Sequence, residues 1–207
     1  FAPRGGLLYA PDTYMDKIAI GPGYAPGLVD LDKSPADNVK ALAKAKGVKP
    51  SDITVCVMDR ARHADIIAEL RSIDASIALI SDGDVQGVIA TTDPETQVDI
   101  YIGQGGAPEG VLAAAALRCV GGQMQGRLHF RNDDEIARAR RVGIDKLDTK
   151  YDLDGLAAGP TIFSATGVTQ GSLLDGVRVR GGRVHTHTLI MNSVDGSVQR
   201  LRSNRPV

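Results

Sequence analysis

Apolar residues along this chain fall into short continuous blocks, separated by stretches where they recur every three or four positions. Ile53 to Met58 (ITVCVM), Ser76 to Ile80 (SIALI) and Val98 to Ile102 (VDIYI) are rich in β-branched and aliphatic side chains. Such runs read as strands buried on both faces. Between the first two, Arg60 to Ile73 puts Ile66, Ile67, Leu70 and Ile73 on one face of a helix. Ser81-Asp82-Gly83-Asp84 then turns into a short helix, Val85 to Ala90. Upstream, Met15 to Ile20 (MDKIAI) alternates like a strand and stops at Gly21-Pro22-Gly23. Ser34-Pro35-Ala36-Asp37 carries a cap residue, a proline at the first position and an acid three residues after the cap, which together start a helix. Downstream, Arg127 to Phe130 reads as a fourth strand of the repeating pattern. Asn132 to Arg141 is a charged helix with acids first and arginines last, as the helix dipole prefers. Thr161 to Thr166 is a further strand. Val184 to Met191 and Ser197 to Leu201 form an antiparallel pair around Asp195-Gly196. The alternation of strands and helices predicts an α/β fold over residues 1–207. It is a layered α/β/α sandwich with a mostly parallel sheet and an antiparallel element near the C-terminus.

The stretch from Val98 to Gly126 organises the rest. After its strand comes Gly103-Gln104-Gly105-Gly106, read as a glycine turn. Pro108 fits the first helical position, Val111 to Cys119 is rich in alanine and leucine, and Gly121-Gly122 stops the helix. A helix start reached through glycines exposes backbone N–H groups that hold an anion such as phosphate. Glu109 in the first turn has two readings. It complements the helix dipole, a role worth under about 1 kcal/mol, or it joins a divalent cation to that phosphate.

Composition narrows the classes. Hydrophobic residues make up 43% and charged residues 24%, enough for a sizeable core. The net charge of −1 gives no electrostatic case for nucleic acid or membrane surfaces. Aromatic content of 4% without tryptophan disfavours base-stacking. Cys56 and Cys119 read as buried, reduced thiols, which suits a cytoplasmic setting. No apolar run is long enough to span a bilayer. Phe1 to Leu8 shows no start-of-domain pattern, so the chain reads as a truncated or processed product.

Three polar clusters follow three predicted strands: Arg60, Arg62 and His63; Asp82 and Asp84; Gly106 and Glu109. In a parallel sheet all three share the carboxyl edge, where α/β folds bind ligands. Bases for phosphate, acids for metal or hydroxyls, and a glycine turn together describe a phosphorylated polyol site with a divalent cation. His185 and His187 share a strand face but lack a third ligand nearby in sequence, so they read as ordinary strand residues. The arginines of 132–141 read as a solvated helix face.

Several segments resemble the class II (GlpX-type) fructose-1,6-bisphosphatases of the lithium-sensitive sugar-phosphatase superfamily. They are APDTYMDKIAIGPG (10–23), RARH (60–63), ISDGDV (80–85), GGAPEGVLAAAALRC (105–119), FSATGVTQGSLLDGV (163–177) and HTHTLIMNSVDGSVQRL (185–201). The resemblance implies removal of the 1-phosphate of fructose 1,6-bisphosphate in gluconeogenesis, with Mg²⁺ or Mn²⁺, and in some relatives of sedoheptulose 1,7-bisphosphate. It also implies a homo-oligomer, dimer or tetramer. It places Tyr14, Arg60, Ala61, Arg62, Asp82, Gly83, Asp84 and Gly106 on the sugar phosphate and makes Glu109 a metal ligand. Ala61 stands where the family usually has proline. Family members also carry a metal-binding half before this region, with a Gly-Glu-Gly-Glu stretch and an Asp-Pro-x-Asp/Glu-Gly-Thr motif, and neither motif occurs here. The chain therefore reads as the carboxyl-terminal part of such an enzyme, lacking the N-terminal half, with 1–30 as a joining segment and no confident catalytic residue of its own. The alternative is a non-catalytic sugar-phosphate-binding module or regulatory fragment.

Overall fold

The computed structural model describes all 207 residues. In chain order the elements are β1 (Tyr14–Ile20), α1 (Pro35–Lys46), β2 (Thr54–Met58), α2 (Ala64–Ser72), β3 (Ser76–Ile80), α3 (Asp84–Ala90), β4 (Ile100–Gly106) and α4 (Ala107–Val120). There follow β5 (Gln123–His129), α5 (Asp133–Arg141), β6 (Lys150–Tyr151), α6 (Leu153–Leu156), β7 (Ile162–Thr166), β8 (Arg178–Arg180), β9 (Arg183–Asn192) and β10 (Val198–Pro206). Six strands form one sheet in the order β3-β2-β4-β1-β5-β6. β2 pairs parallel with β3 and β4, whereas β1 runs antiparallel to both its neighbours, β4 and β5. Strands β2, β3, β4 and β5 thus point one way, as a mostly parallel sheet requires, and β1 and β6 point the other. The antiparallel β1 starts where β2, β3 and β4 end, which brings Tyr14 to the same edge.

The sheet's two faces are filled by separate clusters. Ile18 and Ile20 of β1 pack with Val39 and Leu42 of α1 and Leu70 of α2. Met15 and Ala19 face the other way, against Val88 of α3 and Ala113, Ala114 and Leu117 of α4. The antiparallel element is a layer of its own: β7, β9 and β10 form a second sheet, with β8 beside β9. Phe163, Leu189 and Met191 of this sheet pack on Ala116 and Cys119 of α4. The alanine-rich α4 is therefore buried on both sides, because small side chains let two sheets approach one helix.

Five local expectations are corrected. Gly103 to Gly106 is not a turn but the extended end of β4, paired residue for residue with Lys17 to Tyr14. Glycine is needed at 105 for space: a Cβ there would collide with the buried Asp84 carboxylate, held by Lys17. β3 is not fully buried, because it is the sheet edge, and Leu79 is 46% exposed. The helix expected from Arg60 begins at Ala64, after a 3₁₀ turn at Ala61–His63. β5 begins at Gln123, hidden in the sequence by its polar residues, and β10 continues through Pro206. The cap of α1 is as expected, with the Asp37 amide donating to Ser34 Oγ at 3.2 Å. No helix is long and apolar enough to cross a membrane.

Candidate functional site

The expected site residues gather at one edge of the large sheet, in two groups on opposite faces. On the α1–α2 face, Tyr14 begins β1 opposite Gly106 and His129. The Arg62 guanidinium lies 5.0 Å from its ring centre and that of Arg131 lies 4.6 Å away, both within cation–π range. Arg131 is held there by the buried Glu135, whose Oε2 accepts from the Arg131 amide at 2.8 Å and from Thr13 Oγ1 at 3.0 Å. The Arg131 guanidinium beside it is the first cause that lowers the Glu135 carboxyl to about 2. Arg131 therefore has its charge matched, and Arg62 does not. Arg62 donates through Nε and Nη2 to the carbonyl of Gln104 at 3.1 and 2.9 Å, and Arg60 only to the carbonyl of Asp59 at 3.0 Å. Both are exposed, and neither meets a carboxylate. Two cations without counter-charge at a strand edge suit a phosphate.

Ala61 opens the 3₁₀ turn that carries these arginines. Arg60 has φ −140° and ψ 143°, the extended backbone that a proline at 61 would itself impose. Alanine in place of proline thus keeps the loop geometry. His63 pins the loop from below: its buried ring meets Met58 O through Nδ1 at 2.7 Å, and Nε2 accepts from the Gln104 amide at 2.9 Å. With Nε2 accepting, Nδ1 carries the proton and the ring is neutral. Burial is the main cause that lowers its pKa. Both nitrogens are spent, so His63 is a positioning residue here.

On the α3–α4 face the centre is a residue that the sequence reading passed over, Lys17. Its side chain is fully buried, and Nζ pairs with Asp84 Oδ2 and donates to Gly106 O at 2.7 Å. Burial pushes the Lys17 pKa down, while Asp84 and Glu109 pull it up. The other Asp84 oxygen accepts from the Val85 amide at 2.9 Å at the start of α3. Gly83 adopts the left-handed conformation, φ 86°, that turns the chain between Asp82 and Asp84. Asp82 is exposed and accepts only from the Gly83 amide, at 2.9 Å. Glu109 lies exposed in the first turn of α4, its carboxylate folded back over Gly106, with no hydrogen bond or ion pair. The structure thus joins Tyr14 with Arg62, and Asp84 with Gly106 through Lys17, while the Glu109 carboxylate lies over Gly106. Asp82 and Arg60 stand at the edge without contact to the others.

The signal for Lys17 was present in the sequence. In MDKIAI it shares the alternation of Met15 and Ala19, a lysine at a core-facing position of a central strand. The edge is open on both sides. About 270 Å³ lies between Asp16, Lys33, Arg62, Gln104 and Arg127, and about 610 Å³ between the Ser81–Gly83 turn and residues 167–174. A wider cleft, about 930 Å³, lies elsewhere, between α3 and the second sheet, and none of the expected site residues lines it. No three His, Cys, Asp or Glu side chains cluster as a metal set.

Comparison with known proteins settles the family. Residues 1–205 match the family described as bacterial fructose-1,6-bisphosphatase, glpX-encoded. The chain belongs to this glpX-encoded family. It is 40% identical over 206 residues to a D-fructose 1,6-bisphosphatase class 2/sedoheptulose 1,7-bisphosphatase of Prochlorococcus marinus (strain NATL1A), covering 93% of this chain and 61% of the relative. It is also 40% identical over 211 residues to a protein of the same description from Synechococcus sp. (strain JA-2-3B'a(2-13)), covering 95% of this chain and 60% of that one. The chain thus spans about 60% of the length of these curated relatives. In this GlpX-type chain, the family motifs 10–23, 60–63, 80–85 and 105–119 all come to the one sheet edge.

Proposed function

We propose that this chain is the sugar-phosphate-binding part of a class II fructose-1,6-bisphosphatase that hydrolyses the 1-phosphate of fructose 1,6-bisphosphate and also accepts sedoheptulose 1,7-bisphosphate. The observation that carries this reading is the pair of uncompensated arginines, Arg60 and Arg62, at the strand edge beside Tyr14. A guanidinium offers a planar fork of donors to phosphate oxygens. Tyr14 keeps Arg62 oriented, the exposed Asp82 is the acceptor for sugar hydroxyls, and the buried Asp84 fixes the turn that carries it, with Gly83 and Gly106 letting the ligand approach the backbone. Lys17 holds Asp84 in place, so the turn is preorganised before substrate arrives. The proposed setting is the cytoplasm, and the proposed assembly a homo-oligomer; both rest on the family likeness.

Mg²⁺ or Mn²⁺ is the cation that such a phosphatase uses to polarise the phosphoryl oxygen and to generate its nucleophile. The residues of this chain do not form its site: no three His, Cys, Asp or Glu side chains cluster, Glu109 stands without a second ligand beside it, and Asp84 is engaged by Lys17. We assign Glu109 as a single ligand, completed by the part of the relatives' length that this chain does not span. That same shortage favours the second reading, a non-catalytic sugar-phosphate-binding module, for the chain taken alone. The test of the binding role is Arg62→Ala in the full-length enzyme. KM for the bisphosphate rises at least about tenfold, which is 1.4 kcal/mol, while the melting temperature stays the same. An unchanged KM would remove Arg62 from the site.

A further inference from the structure

The second sheet carries a basic pocket that none of the arginines discussed so far lines. β8 pairs with β9 so that Arg178 faces His185 and Arg180 faces Arg183, and β10 pairs with β9 so that Arg202 faces His187. Cross-strand partners share a face of the sheet. The register therefore gathers Arg178, Arg180, Arg202, His185 and His187 around a hollow of about 290 Å³, in which every lining residue is polar, charged or glycine. Asp175 is its one carboxylate, already shared between Arg202 and the Gln170 side-chain amide, each at 3.2 Å, while its backbone amide donates to His187 Nδ1 at 3.1 Å. Arg178 donates to the neutral Gln170 Oε1 at 2.6 Å. Arg180 and His185 have no side-chain partner. In a chain of net charge −1, three guanidiniums around one spent carboxylate are an uncompensated positive site.

We propose that this hollow binds a dianionic oxyanion, a phosphate or phosphate monoester, through Arg178, Arg180 and His185. Its volume suits a phosphoryl group with a small body, and the guanidiniums of β8 supply the forked donors that such a group takes. Asp175 and Gly176, which wall the pocket, end a segment from residue 167 that also braces α3. Gln170 contacts Asp175 at 3.2 Å on the pocket side, and two residues on, Ser172 Oγ accepts from Gln86 Nε2 at 2.7 Å. Gln86 lies in the first turn of α3, just after the Asp82–Asp84 turn. A ligand that draws Arg178 away from Gln170 thus acts on the segment that braces this turn.

The test is a titration of the ¹⁵N-labelled chain with inorganic phosphate and, separately, with glycerol phosphate, against sodium chloride at matched ionic strength. The expected result is saturable amide shifts at Arg178, His185 and Gln170, with Gln86 moving at the same midpoint. Arg180→Ala, which removes no internal contact, weakens the midpoint at least about fivefold and leaves the response at Arg60–His63 unchanged. Arg178→Lys and Arg180→Lys retain most of the binding. Shifts that chloride reproduces, or that survive Arg180→Ala combined with Arg178→Ala in a folded protein, overturn the site. Saturation with Gln86 unmoved overturns the link to the acidic turn.

Discussion

Glu109 and Lys17 are the two residues whose roles divide most sharply between structure and chemistry. Glu109 is exposed and bonded to nothing, so its removal costs the fold little beyond a dipole contribution under about 1 kcal/mol. If it ligates the cation, Glu109→Gln in the full-length enzyme removes a charged oxygen donor at unchanged size. We expect kcat to fall at least about a hundredfold, or about 2.7 kcal/mol of transition-state stabilisation, with the melting temperature in metal-free buffer unchanged and part of the loss recovered at high Mn²⁺. Wild-type kcat and metal dependence would make Glu109 a helix-dipole residue only. Lys17 is the converse case. Lys17→Met keeps the length but leaves Asp84 buried without its counter-charge, a defect of about 3–5 kcal/mol. Adding Asp84→Asn should restore a large part of it, because the uncompensated charge is gone. A single variant as stable as wild type in denaturant melts would show that the pair contributes nothing.

At the scale of elements, the edge is built by one reversed strand. β1 enters antiparallel between β4 and β5, so Tyr14 meets the ends of β2, β3 and β4. Thr13, His129 and Glu135 tie β1, β5 and α5 together there: Thr13 Oγ1 donates to His129 O at 2.7 Å and to Glu135 at 3.0 Å. This latch titrates. Glu135 has its folded pKa lowered to about 2 against an ordinary 4.5, first by the Arg131 hydrogen bond. Its contribution is therefore complete above about pH 4.5 and disappears as pH falls towards 2. Glu135→Gln should be less stable at pH 7 and lose less than wild type between pH 5 and 2. Parallel acid curves for the two proteins would contradict the latch.

The periodicity of the chain made most of these elements readable, and the failures have physical causes. Gly103 to Gly106 looked like a turn because glycine permits positive φ. Here Gly105 instead makes room for the buried Asp84 carboxylate, a reason that only packing reveals. SIALI looked buried because a sequence does not say which strand is the sheet edge. Tyr14, Arg62, Asp84 and Glu109 were legible as site candidates from strand-end position and family likeness. Lys17 was legible only through the two-residue alternation of its strand.

At the scale of the whole molecule, charge is segregated more than the net value of −1 suggests. The site edge holds free arginines beside acids, and β8 to β10 carry a second basic surface. α4 is buried between the two sheets and presents Glu109 at its N-terminal end. The proposed division of labour follows: this chain recognises the sugar phosphate, and a cation set beyond it does the hydrolysis. The most direct measurement is a titration of the ¹⁵N-labelled chain with fructose 1,6-bisphosphate, followed amide by amide and paired with an assay for phosphate release in Mn²⁺. The account predicts saturable shifts at Tyr14, Arg60–His63, Asp82–Asp84 and Gly105–Gly106, lost in Arg62→Ala, with turnover below about 1 s⁻¹, the low end of ordinary enzymes. A chain that leaves these amides unmoved at saturating ligand, or that hydrolyses the bisphosphate at ordinary enzyme rates by itself, would contradict it.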